Sequence, residues 1–150
     1  MKIPDEAMGA GRRFGHGVLR DPRIAASEAD LVAQYELVER VVALHAQVVA
    51  SRAKAQSLGE SSQLSVAQKQ ALRREVIGAE PADNPDDSMG VYSHDFTSFL
   101  FLENQLDYLA GAIESADAAP TSDMRLGYSK LDLIYRETLA RLRAIVATGR

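Results

Sequence analysis

From Leu31 onward, apolar residues return every three or four positions. Leu37, Val41, Leu44, Val48, Ala55 and Leu58 make one stripe, and Leu31, Tyr35, Val38, Val42 and Val49 make a second beside it. That spacing belongs to a helix with one face turned to a core. Two adjacent stripes predict a wide buried face, with Glu36, Glu39, Arg40 and Gln47 outside it. Ser27 is the expected N-cap, because its hydroxyl can accept from a free amide of the first turn. Asp30 stands where the acid of a capping box stands, and Glu28 and Asp30 suit the positive end of the helix dipole. Gly59 is the expected stop, in the left-handed cap position. Such a helix runs for about 30 residues, or roughly 45 Å.

Three more helices follow. "SVAQ" at Ser65–Gln68 is a capping box, and it opens a short, partly exposed helix with Val66, Leu72, Val76 and Ile77 as its few apolar positions. "GAEPADNPDDSMG" is a loop by its prolines, glycines and acids. A third helix is expected from about Asp95 to about Asp117, with Phe99, Leu102, Leu106, Leu109, Ile113 and Ala116 as its seam. Gly111 interrupts it at a cost of about 1 kcal/mol relative to alanine, as if to admit another helix closely. Pro120 ends the joint and Thr121 or Ser122 caps the fourth helix, which carries Met124, Tyr128, Leu131, Tyr135, Thr138, Leu142 and Ile145. Arg136, Arg141 and Arg143 suit its C-terminal half, and Gly149 finishes it. So short a joint makes the last two helices antiparallel neighbours. The expected fold is all-α: an antiparallel helical bundle of three long helices plus one short helix. Residues 1–23 are read as a flexible N-terminal arm or linker and residues 24–150 as the bundle domain.

Composition narrows the class. The chain has 150 residues, 46% apolar and 25% charged, enough for one domain with a real core. The absence of cysteine excludes disulfides and thiolate metal sites. A net charge of −4 gives no general attraction to nucleic acid. Arg12, Arg13, Arg20 and Arg23 cluster, but no aromatic ladder accompanies them, so a solvated arm is the expectation. Met1–Ala10 lacks the apolar run of a signal peptide, and "FTSFLFLENQL" is too short to span a bilayer. As it stands, the chain is expected to be cytoplasmic, without membrane or nucleic-acid partners.

Candidate chemistry is sparse. Gly9 and Gly11 suggest a phosphate loop, but Phe14 replaces the third glycine and no strand precedes it. Asp83, Asp86 and Asp87 suggest calcium, but the glycine is missing and His94 holds the place of the bidentate glutamate. His16, His45 and His94 belong to no Glu-x-x-His or His-Glu-x-x-His pattern. No serine sits in a Gly-x-Ser-x-Gly elbow. Glu103, one turn from the seam, reads as a boundary carboxylate bonded to a neighbour, and Tyr35, Tyr128 and Tyr135 as core aromatics with hydroxyls at the rim. No catalytic, cofactor-binding or metal residue is assigned, and no cofactor is expected.

Two segments carry a resemblance. "VLRDPRIAASEADLVAQYEL" has Asp21, Pro22 and Arg23, then Asp30, Leu31 and Gln34. "LENQLDYLAGAIESADAAPTSDMRLGYSKLDLIYRETLARLRAIV" has Leu106, Leu109, Ile113, Ser115, Ala116, Asp117, Pro120 and Thr121. Together they resemble the C-terminal helical domain of bacterial sortilin-like (Vps10-like) proteins with BNR or Asp-box repeats, often labelled glycosyl hydrolases. The resemblance covers about two-thirds of the chain and leaves Glu60–Ser93 unmatched. It implies a non-catalytic module, exported in its family, that packs against a β-propeller or β-sandwich domain or a partner protein. Any glycosidase activity would belong to the propeller, and no Asp-box motif occurs here. Two other readings remain at this point: a small binding protein that self-associates as a homo-oligomer through an unfilled bundle face, and a small all-α enzyme.

Overall fold

A computed structural model describes residues 26–78, 96–116 and 118–148. Within them the protein is all-α, with no strand. Helix α1 is Glu28–Glu60, α2 is Val66–Leu72, α3 is Phe99–Glu114 and α4 is Ser122–Ala147. A π-helical turn, Arg73–Ile77, continues α2. The arm at residues 1–23, the acidic loop with its three aspartates, His16, His94 and Gly149 lie outside the described residues.

Local chemistry sets the helix starts. Ser27 caps α1 through a full capping box: its hydroxyl accepts from the Asp30 amide, and the Asp30 carboxylate accepts from the Ser27 amide at 2.8 Å. Ser65 and Gln68 repeat the device on α2, and the Gln68 amide group also donates to the Ile145 carbonyl of α4 at 2.7 Å. Thr121 caps α4. Ser98 caps α3, so this helix starts later than the apolar pattern predicts, and it ends at Glu114 rather than near Asp117.

The core lies where α1, α3 and α4 meet. Leu37, Val41, Leu44, Val48 and Ala55 of α1 are buried against Phe99, Leu102, Leu106 and Ile113 of α3 and Leu131, Tyr135 and Leu142 of α4. Leu72, Val76 and Ile77 close one end. Burying each such side chain is worth about 1.5–3 kcal/mol.

Three expectations are overturned. Gly59 does not end α1: the helix continues to Glu60 with Ser61 as its cap, and the backbone at Gly59 is not left-handed. Gly111 admits no neighbouring helix among the described residues, since a Cβ there would meet none of them within 4 Å. The second stripe of α1 is not part of the core: Leu31, Tyr35, Val42 and Val49 are exposed, and only Val38 is half-buried. The helix has two apolar edges and its neighbours cover one.

Candidate functional site

Among the described residues, the open edge of α1 gathers exposed apolar side chains along one helix face. It carries Leu31, Val32, Tyr35, Val42 and Val49, with Tyr35 64% and Val42 55% exposed. Ala43, Ala46, Ala50 and Ala53 lie on the same side and are exposed too. An exposed apolar strip of roughly several hundred Å², with Glu39 set into it, is the kind of surface that interaction sites present.

Polar pairs fix the border of this strip. On the α3 side, Arg52 pairs with Glu103 at 3.0 Å, both side chains mostly buried. The His45 Nε2 lies 3.3 Å from the Asp107 carboxylate. Gln34 donates its side-chain amide to the carbonyls of Ile113, in the last turn of α3, and Ala116, just past its end. On the α4 side, the Arg40 guanidinium lies 4.6 Å from the Tyr128 ring centre, and the Ser51 and Tyr135 hydroxyls are 3.0 Å apart. These contacts hold α1 from both flanks and leave its outer edge uncovered by the described residues. On the edge itself, Tyr35 donates to Glu39 at 2.7 Å. Accepting that bond and lying beside it, the Glu39 carboxylate holds the Tyr35 phenol above its ordinary pKa.

The residues weighed for chemistry are dispersed. Glu103 is tied to Arg52, as a boundary carboxylate would be. His45 faces a single carboxylate, Asp107. Tyr135 is buried with its hydroxyl bonded, whereas Tyr35, read as a core aromatic, lies on the surface because its stripe has no cover. Among the described residues no three His, Asp or Glu side chains converge as a metal site would require. No described helix is long and apolar enough to cross a membrane.

Grooves indent the surface of the described residues. One of about 500 Å³ runs between the C-terminal halves of α1 and α4, floored by Leu58, Leu139, Leu142 and Val146 and rimmed by Lys54 and Arg143. Another, of about 750 Å³, lies between the end of α1 and α2 and is lined largely by polar side chains, among them Glu60, Lys69, Arg73 and Arg74. Neither lining contains a nucleophile paired with a base.

The sequence pattern marks Arg141 only as a charge suited to the end of α4 and gives no sign of its contacts. Its guanidinium donates to the Glu75 carbonyl, the Thr97 hydroxyl and carbonyl, and the Thr138 hydroxyl, at 2.8–3.2 Å. One side chain thus ties the π turn and the approach to α3 onto α4. Comparison with protein families, with curated proteins and with solved structures gives no match.

Proposed function

We propose that the chain is a non-catalytic module, an antiparallel helical bundle that works by binding another protein along α1. Contact order supports the arrangement. Going up α1, Gln34, His45 and Arg52 meet α3 at Ile113, Asp107 and Glu103, in descending order. Thr138 meets Thr97, and a Cβ at Gly127 would stand 4.0 Å from the Leu109 Cδ1, so α4 descends along α3 in turn.

The single observation that carries the interaction reading is the exposed second stripe of α1. A surface helix ordinarily puts charged and polar residues on its outer face. Here Val32, Tyr35, Val42 and Val49 occupy that face. The sortilin-like resemblance would make the occupant a β-propeller or β-sandwich domain and the role structural. The self-association reading makes it a second copy, and the charge distribution along α1 favours that one.

The test places a photo-reactive residue at Tyr35 and, as a control, at exposed Lys130 on α4, in cells that make the protein. An adduct formed at Tyr35 alone, and lost with Val42→Lys, is the expected result. Equal labelling at both positions, or none at either, removes the reading.

A further inference from the structure

We infer that the partner of the α1 face is a second copy of this chain, bound antiparallel about a two-fold axis near Leu44. The inference rests on the interaction reading above and names its occupant.

Three features of α1 support it. The first is spacing. On the open edge, Val32, Tyr35, Glu39, Val42, Ala46, Val49 and Ala53 alternate by three and four, the repeat that lets two helices pack along their length. They span about 32 Å.

The second is size. The N-terminal half carries Leu31, Val32 and Tyr35, while the C-terminal half carries Ala43, Ala46, Ala50 and Ala53 with Val49 as its bulky residue. Parallel pairing would set tyrosine against tyrosine and leave voids between alanines. Antiparallel pairing sets Tyr35 against Ala53 and Val42 against Ala46, each contact occurring twice by symmetry.

The third is charge. Residues 28–39 hold Glu28, Asp30, Glu36 and Glu39 and no base, and residues 40–54 hold no acid; Arg52 is paired with Glu103 and Arg40 lies over Tyr128, so Lys54 is the base beside the open edge. Antiparallel copies set acidic half on basic half; parallel copies would set like on like. Glu36 and Lys54 are eighteen residues apart, which is five helical turns, so they share one edge of the strip. In the proposed register each Glu36 lies within about 3 Å, along the axis, of the level of the other copy's Lys54, which two long side chains can span.

The area is sufficient. Covering the strip removes on the order of 600 Å² per copy, which puts the pair at the low end of specific interfaces, about 1,200 Å² in total. An association of micromolar strength, reversible on dilution, fits an interface of that size.

The experiment is sedimentation of the full chain from micromolar to several hundred micromolar, combined with three sets of variants. Wild type is expected to pass from monomer to dimer over that range. Val42→Lys and Val42→Glu are each expected to raise the dissociation constant at least tenfold, because two like charges meet near the axis; mixing the two variants restores association. Glu36→Lys weakens the dimer, and adding Lys54→Glu in the same chain recovers it. The chain has no native cysteine, so orientation is read by cross-linking. Tyr35→Cys mixed with Ala53→Cys forms a disulfide, and Tyr35→Cys alone does not. Self-linking of Tyr35→Cys alone shows parallel pairing and overturns the inference. A wild-type monomer at every concentration overturns it as well. In that case an adduct specific to Tyr35 in cells leaves the interaction reading standing with a different partner, and its absence removes both.

Discussion

Two glycines with opposite environments test how far a single backbone position matters. Gly78 ends the π turn at φ +92°, where L side chains are strained, and a Cβ there would stand 2.6 Å from the Ser98 Oγ and 2.8 Å from the Leu100 Cβ. Gly111 lies inside α3 with open space beside it. Gly78→Ala is therefore expected to cost about 3 kcal/mol through strain and overpacking. Gly111→Ala is expected to gain about 0.5–1 kcal/mol by helix propensity alone. Urea melts of both variants at low protein concentration check the pair, and equal effects would show that packing around them has been misjudged. The sequence marks both residues as glycine but does not distinguish their roles, because the difference lies in which distant atoms come near. Tyr35 gives a second test at this scale. Its phenol is held above its ordinary pKa by Glu39, so the bond between them contributes fully below about pH 10 and is lost as pH rises through the raised folded value. Glu39→Gln should lower the titration midpoint of that tyrosine, followed by its ring resonances in NMR.

The starts of α1, α2 and α4 were legible because a cap is a local event; that of α3, capped by Ser98, was not. Ser27 with Asp30, Ser65 with Gln68, and Thr121 each bond within three residues, as their spacing implies. The π turn after α2 has no such signature. It forms where Gly78 brings the backbone against Ser98 and Leu100, and it is held from outside by Arg141. That arginine was read as a charge suited to the end of α4, but it acts as a clamp with four bonds to three residues of other segments and of its own helix. Arg141→Met keeps the aliphatic stem and strands the Glu75 and Thr97 carbonyls, so it should cost about 2 kcal/mol. Arg141→Lys should recover only part of this, since one ammonium lacks the fork that reaches Glu75 and Thr97 together. Hydrogen exchange locates the effect: faster exchange in α2 and its π turn, with α1 little changed, is the expected pattern. Uniform acceleration across all helices would place Arg141 in the global core and remove the local reading.

At the scale of the whole molecule, periodicity shows how wide the apolar face of a helix is, but it does not show how many neighbours there are to cover it. Both stripes of α1 were read as buried, and the described helices cover one. The excess lies in adjacent residues of one type. Val41 is 1% exposed and Val42 is 55% exposed, and Val48 and Val49 repeat the contrast one heptad later. This makes a controlled comparison in which side-chain volume and helix propensity are identical and only position changes. In dilute, monomeric protein Val41→Ala should cost about 2 kcal/mol, because the cavity it leaves is enclosed by α3 and α4. Val42→Ala should change stability by less than about 0.5 kcal/mol, since water already reaches the site. Raising the protein concentration separates folding from association. If the face is covered by a second copy, the midpoint of thermal unfolding rises with concentration for wild type and for Val41→Ala, because dimerisation adds stability by mass action. It rises less for Val42→Ala, whose defect appears only once the face is buried. A residue that is silent in the monomer and costly in the dimer belongs to an interface and not to a core. Parallel behaviour of Val41→Ala and Val42→Ala across the whole concentration range would return the second stripe to the fold and leave the molecule without its binding face.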